Sequence, residues 1–275
     1  MKIIKANNMG FCFGVKRAMD AVEDAISSGE QIYTLGPIIH NEEVLADLEK
    51  RGVKAINDLN EVDSGTIVIR AHGVPGSVLR LAKKKGLKII DATCPFVKNV
   101  QKIAKSMEDS GLKVIIIGEK AHPEVIGIAG NLMHPIIIEH ASDAESLDLR
   151  SAAGVVCQTT QSKQNVSAIM DILKNKPVKI YLRDTICNAT YQQQRTACEI
   201  ASRVDLMIVV GGRQSGNTKR LVELCSRISA TYHVSSINDI KGEWFDNVRI
   251  VGLTAGTSTP DKLIIEVEKA LKNGR

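Results

Sequence analysis

The sequence predicts an α/β protein whose mainly parallel sheets are covered on both faces by helices. Three observations lead there. Short apolar runs alternate with segments of 3.6-residue periodicity. Polar residues gather just past the end of each apolar run, the side on which open α/β sheets take ligands. The pattern also goes round three times, and each round offers one cysteine at a turn into a helix. These rounds divide the chain into three similar small α/β domains, 1–93, 94–186 and 187–275, alike in pattern more than in residues.

In the first round, Gly10-Phe11-Cys12-Phe13-Gly14 precedes an amphipathic helix with Val15, Ala18, Met19, Val22 and Ile26 in register. A short strand over 31–35 runs into Gly36-Pro37-Ile38-Ile39-His40-Asn41. A helix over 42–52 follows, with Val44, Leu45 and Leu48 inward and Gly52 as its stop. Thr66-Ile67-Val68-Ile69 is a buried strand ending in Arg70-Ala71-His72-Gly73, and a helix over 78–85 comes next. Ile89-Ile90 then leads to Asp91-Ala92-Thr93-Cys94-Pro95. Pro95 suits the first helical position, where a missing N–H costs nothing, and Val97, Val100, Ile103, Ala104 and Met107 share one face beyond it.

The second round has a strand over 113–117 entering Gly118-Glu119-Lys120-Ala121-His122-Pro123-Glu124. Further strands at 135–138 and 154–157 follow, the latter opening onto Gln158-Thr159-Thr160-Gln161-Ser162. A helix over 165–173 and a strand over 178–182 lead to Cys187. The third round has a strand over 205–210 opening onto Gly211-Gly212-Arg213-Gln214-Ser215-Gly216-Asn217-Thr218 and a helix over 221–228. A strand over 248–253 ends it, ahead of Thr254-Ala255-Gly256-Thr257-Ser258.

The six cysteines separate into two kinds. Cys12, Cys94 and Cys187 stand just ahead of helices, near unpaired backbone N–H groups and the positive end of a helix dipole, which favours a thiolate. Cys157 ends a buried run, while Cys198 and Cys225 lie mid-helix on apolar faces. The first three read as metal ligands and the others as core thiols. No C-x-x-C pair exists, which disfavours zinc ribbons, thioredoxin-type sites and closely spaced ferredoxin clusters. From these residues, a zinc ion and an iron–sulfur cluster with one open iron stand as equal alternatives.

The 275 residues, 44% hydrophobic and 24% charged, are ordinary for a globular protein with more than one core. A net charge of +5 leans toward an anionic ligand. Only 3% of residues are aromatic, which speaks against base-stacking surfaces, so no nucleic acid is expected. No apolar stretch has the length of a membrane span and the N-terminus lacks an apolar signal core, so the expected location is the cytoplasm.

His40, His72 and His122, with Ser215, Asn217 and Ser258, are polar tips that suit an anion. The Gly-rich turn before Asn217 offers backbone donors to phosphate without being a Walker loop. Glu124 is the carboxylate of this set. Beside an anionic cluster and phosphate its pKa rises, which suits a general acid, and Thr159 can relay or orient a proton.

These motifs resemble the family of 4-hydroxy-3-methylbut-2-enyl diphosphate reductases over essentially the whole chain. The stretches that carry the likeness are those around Cys12, His40, His72, Cys94, His122-Pro123-Glu124, Gln158-Thr159-Thr160, Thr185-Ile186-Cys187-Asn188-Ala189-Thr190, Ser215-Gly216-Asn217 and Ala255-Gly256-Thr257-Ser258. The resemblance implies three lobes arranged pseudo-three-fold around a central [4Fe–4S] cluster held by Cys12, Cys94 and Cys187. It implies that the substrate hydroxyl meets the open iron, and that His40, His72, His122, Ser215, Asn217 and Ser258 hold the diphosphate. By the same resemblance, Glu124, aided by Thr159 and His122, would deliver the proton that lets the hydroxyl leave as water. It further implies that two electrons come from a ferredoxin or flavodoxin and that the products are isopentenyl and dimethylallyl diphosphate.

Two positions depart from the family's pattern. Gly216 stands where a second serine is common, leaving a backbone N–H in place of a hydroxyl, and Gln193-Gln194 stand where an Arg-Gln pair is common. Two other readings remain: an open-iron (de)hydratase that needs no reductant, and a basic binding module with structural zinc.

Overall fold

The computed structural model describes residues 1–39 and 41–273. In chain order, β1 (Lys2–Lys5), α1 (Phe13–Ser27), β2 (Ile32–Leu35), α2 (Glu42–Lys50), β3 (Val53–Ile56), β4 (Thr66–Ile69), α3 (Gly76–Lys84) and β5 (Lys88–Asp91) come first. Then follow α4 (Pro95–Asp109), β6 (Lys113–Ile117), α5 (Pro123–Ala129), β7 (Ile136–Ile138), α6 (Ala141–Glu145), β8 (Ala153–Cys157), α7 (Lys163–Leu173) and β9 (Ile180–Leu182). The chain continues through α8 (Asn188–Ala201), β10 (Leu206–Val210), α9 (Gly216–Ser226), β11 (Ala230–Val234), β12 (Ile250–Ala255) and α10 (Asp261–Lys272).

The strands form three four-stranded sheets in the orders β3-β2-β4-β5, β7-β6-β8-β9 and β1-β12-β10-β11. Every pairing is parallel. Each sheet therefore repeats one topology, in which the first strand sits between the second and the third, and the fourth lies at the edge. In the last sheet that fourth strand is β1, from the other end of the chain. The expected segment 1–93 thus does not keep to one sheet, because β1 hydrogen-bonds along β12, Lys2 opposite Ile250 and Lys5 opposite Leu253.

Helices cover both faces of the central strands β4, β8 and β10, which are buried at every position and apolar except at Thr66. Edge strands differ. β1 and β5 carry Lys2, Lys5 and Lys88, charges that discourage further pairing at a sheet edge.

By compactness the chain forms two units. One comprises Met1–Lys16, Ile39–Asp47 and Asn188–Arg275, and holds the sheet that includes β1. Its core joins Leu206, Ile208 and Val210 to Leu263, Val267 and Leu271 of α10 on one face. The other face carries Ala197 and Ile200 of α8 with Leu221 and Cys225 of α9. The second unit comprises Arg17–Ile38 and Leu48–Cys187, and holds the other two sheets. Its cores centre on Ile67 and Ile69, on Ile116 and Val156, and on Ile115, Val155 and Ile169.

Candidate active site

One local device recurs in all three sheets. The chain leaves the fourth strand, reaches a cysteine, and starts a helix at the next residue: Cys12 before Phe13, Cys94 before Pro95, Cys187 before Asn188. In each case the cysteine N–H donates to the carbonyl two residues past the end of the third strand. Cys12 N bonds Thr257 O at 3.1 Å, Cys94 N bonds Ala71 O at 3.0 Å, and Cys187 N bonds Thr159 O at 2.9 Å. The first and third strands are where strand order reverses, so each cysteine turn is fixed beside the crevice in which such sheets bind ligands.

The turn before Cys94 is held further. Arg17 donates to Thr93 O at 3.1 Å, and Asp91 Oδ1 accepts from Thr93 N at 3.0 Å. Burial pushes the Asp91 carboxyl up, but hydrogen bonds from Lys98 and Thr93 outweigh it and keep the carboxyl below its usual range.

The second unit gathers Glu124, Thr159, His122 and His72. Pro123 opens α5 and places Glu124 in its first turn, only 2% exposed. Thr159 binds both carboxylate oxygens: its N–H donates to Oε1 at 2.6 Å and its hydroxyl to Oε2 at 2.8 Å. Burial raises the Glu124 pKa to about 7, against the lowering effect of the two Thr159 bonds and with a further push from the Glu119 charge. The carboxyl therefore exchanges its proton near neutrality, as a general acid must.

His122 caps α5, its Nδ1 accepting from Glu124 N at 3.2 Å. An accepting Nδ1 places the proton of a neutral ring on Nε2, a donor suited to an anion. The His72 ring meets it edge-on at 5.3 Å between centroids. His40, expected in this set, lies outside the described residues.

The other unit gathers Ser215, Asn217 and Ser258. Ser215 caps α9 by accepting from Thr218 N at 3.3 Å, and Ser258 Oγ lies 3.4 Å from Ser215 Oγ. Gly216 and Asn217 are the first two residues of α9, where backbone N–H groups have no intrahelical partner and face an anion favourably. Gly211 makes the tight entry possible. Its φ is 154°, and a Cβ there would stand 2.6 Å from Thr218 Oγ1.

Gln193, to which the sequence alone assigns no role, joins this group. It is 2% exposed, donates to Ala255 O at 2.7 Å and accepts from Asn217 Nδ2 at 2.7 Å. The signal that could have found it is helical register: Thr190, Gln193 and Gln194 share the buried face of α8 with Ala197, Ile200 and Ala201.

The six thiols differ in burial. Cys157 and Cys225 are wholly buried, and burial pushes both up to about 12. Burial also raises Cys198. Cys12, Cys94, Cys187 and also Cys198 are part-exposed, and none of the six forms a disulfide. Among the described residues, no three His, Cys, Asp or Glu side chains converge on a single-ion site. A cubane makes a different demand, since each thiolate takes its own iron. The donor chemistry of the three cysteines at helix starts fits it, because iron takes the thiolate form that burial disfavours at the other three.

Parallel sheets that carry polar residues at their helix starts, with a buried carboxyl titrating near neutrality, define the α/β class whose sites lie at strand C-terminal ends. Comparison with known proteins narrows this class. The model of the LytB protein family matches residues 3–272, and the chain belongs to that family. A 4-hydroxy-3-methylbut-2-enyl diphosphate reductase from Geotalea uraniireducens is 45% identical over 269 residues, covering 97% of this chain and 95% of the relative. That of Geobacter sulfurreducens is 41% identical over 271 residues, covering 97% and 95%. The fold agrees with a solved structure of E-1-hydroxy-2-methyl-but-2-enyl-4-diphosphate reductase from Plasmodium falciparum. That chain has a TM-score of 0.93 and 33% identity, over 99% of this chain and 88% of the other. A structure of (E)-4-hydroxy-3-methyl-but-2-enyl diphosphate reductase, the terminal enzyme of the non-mevalonate pathway, is 38% identical with a TM-score of 0.71 over 99% of both chains.

Proposed function

We propose that this chain reduces 4-hydroxy-3-methylbut-2-enyl diphosphate to isopentenyl and dimethylallyl diphosphate, with two electrons and two protons consumed and one water released. The observation that carries the reading is the full-length agreement with relatives named for this reaction. The buried Glu124 carboxyl, titrating near 7, supports the proton-donor part of the reading. Neither an open-iron (de)hydratase nor a zinc-bearing binding module has comparable support.

Cys12, Cys94 and Cys187 are the proposed ligands of a [4Fe–4S] cluster, on the match of their motifs and on the thiol chemistry above. When bound, such a cluster supplies electrons and a Lewis-acidic iron. His40, His72, His122, Ser215, Gly216, Asn217 and Ser258 are assigned to the diphosphate, as imidazole, hydroxyl, amide and helix-terminal N–H donors. Their work is to orient the allylic alcohol and to exclude water.

Glu124 does the proton chemistry. In its neutral form, Oε1 still accepts the Thr159 N–H, and the proton on Oε2 can pass to Thr159 Oγ1. Thr159 then turns its own hydroxyl proton toward the departing oxygen. Hydroxide leaves poorly until it is protonated, so the timing of this transfer governs the step. A ferredoxin or flavodoxin in the cytoplasm is the proposed electron source. Metal and sulfide analysis of anaerobically purified protein tests the assignment: iron with acid-labile sulfide is expected, and zinc without either contradicts it.

A further inference from the structure

Gln193 occupies a position where the resembled family commonly carries arginine, and it has an unusual set of bonds for a mid-helix amide. It lies on α8, 2% exposed, between the end of β12 and the start of α9. The Ala255 carbonyl can only accept, so the Gln193 amide must turn its nitrogen toward it. That leaves Gln193 Oε1 facing Asn217, and an oxygen there can only be met by the Asn217 nitrogen. The order of donors is thereby set along the whole chain, from Asn217 Nδ2 to Gln193 Oε1 and from Gln193 Nε2 to Ala255 O, each step 2.7 Å. Asn217 Oδ1, on a residue only 3% exposed, is left without a hydrogen-bond partner among the described residues.

We propose that Gln193 is a positioning residue. By fixing the Asn217 amide in one of its two orientations, it leaves the second N–H of Asn217 Nδ2 as a preset donor to the diphosphate. The inference rests on the reading of Ser215, Asn217 and Ser258 as diphosphate residues. It adds that their affinity depends on a residue that does not touch the ligand. Without the amide bridge, Asn217 is able to rotate and turn its carbonyl, an acceptor, toward the anion in place of its N–H.

The test is calorimetric binding of inorganic pyrophosphate to the cluster-loaded protein, with substrate KM and kcat measured alongside. Gln193→Met keeps the length of the side chain and removes both bonds. It is expected to weaken pyrophosphate about tenfold, the scale of a lost buried hydrogen bond, and to raise KM with little change in kcat. Gln193→Glu supplies the rescue. When neutral, the introduced carboxyl donates to Ala255 O and accepts from Asn217. When ionised, it has only acceptors to offer. Its affinity relative to the parent chain should therefore approach one at acid pH and fall as pH rises, while the ratio for Gln193→Met stays flat.

A general loss of folding does not produce that recovery. Gln193→Met binding as tightly as the parent, while Asn217→Ala binds weakly, overturns the positioning role and leaves the diphosphate reading intact. Unchanged affinity in both Asn217→Ala and Ser215→Ala removes the diphosphate reading, and the positioning role with it.

Discussion

Thr159 commits every backbone and side-chain polar group to two neighbours: its N–H and hydroxyl hold the two oxygens of Glu124 at 2.6 and 2.8 Å, and its carbonyl takes the N–H of Cys187 at 2.9 Å. A buried acid is thereby tied directly to the turn that carries a proposed cluster ligand. One residue thus keeps the proposed proton donor and a proposed cluster ligand in register.

The first consequence concerns turnover. Glu124→Gln keeps the shape and can still accept from Thr159, but holds no transferable proton. Its kcat should fall by about 10²- to 10⁴-fold, with pyrophosphate affinity and iron content retained. In the parent chain, kcat should decline above pH about 7, where the Glu124 carboxyl gives up its proton. Steady-state rates across pH check both statements; full activity in the variant removes Glu124 from the mechanism.

The same carboxyl leaves a mark on stability. It titrates near 7 in the folded chain against 4.5 ordinarily, so the folded state holds an extra proton between those values. Its contribution is complete below pH 4.5 and is lost as pH rises through 7. The total is about 3 kcal/mol, since each pH unit between the two values is worth about 1.4 kcal/mol. Denaturant titrations should show the parent chain losing stability relative to Glu124→Gln across that window, and a constant difference between the two contradicts the burial argument.

Thr159→Val separates relay from shape. Valine matches the volume, keeps the N–H on Oε1 and removes the hydroxyl on Oε2. Because that hydroxyl favours the ionised carboxylate, its loss should move the alkaline limb of kcat to higher pH while lowering the plateau about tenfold or more. A limb that moves downward instead shows that the hydroxyl does not stabilise the carboxylate.

The cysteines divide cleanly in their expected response to substitution. Cys94→Ser should yield protein poor in iron and sulfide, whereas Cys157→Ser, Cys198→Ser and Cys225→Ser should each load normally. The two buried replacements, at Cys157 and Cys225, should lower stability by about 1–3 kcal/mol because each places a hydroxyl in an apolar core. Loss of iron from any of these three means that the ligand set has been drawn from the wrong sulfurs.

Gly211 tests the anion turn. An added methyl meets Thr218 Oγ1 at 2.6 Å and Thr259 Oγ1 at 2.8 Å, on a backbone with φ of 154° that side chains rarely adopt. Gly211→Ala should cost about 1–3 kcal/mol and weaken pyrophosphate binding by displacing the start of α9. Thermal melts and calorimetry read the two effects, and a variant unchanged in both shows that the turn tolerates bulk.

Much of this was readable in the chain itself. Leu206-Met207-Ile208-Val209-Val210 and Thr66-Ile67-Val68-Ile69 are almost wholly apolar runs, which in an alternating pattern means a strand buried on both faces. Cys94-Pro95 marked a helix start because proline is tolerated at that position, and α4 begins at Pro95. Other features had no local signature. Lys2-Ile3-Ile4-Lys5 is short and flanked by charge, and its partner strand lies at the far end of the sequence. Ala230-Thr231-Tyr232-His233-Val234 is too polar to announce a strand, yet it pairs along β10 at a partly exposed edge. The shared anchoring of Cys12, Cys94 and Cys187 was equally hidden, because the acceptors Thr257, Ala71 and Thr159 have carbonyls in common and no side-chain chemistry.

The most direct measurement of the central claim is product analysis after anaerobic reconstitution, with 4-hydroxy-3-methylbut-2-enyl diphosphate and chemically reduced viologen. Isopentenyl and dimethylallyl diphosphate are the predicted products, formed only while reductant remains and almost absent with Glu124→Gln. Substrate consumed equally well without reductant, or the same two products formed at full rate by the Glu124 variant, would contradict it.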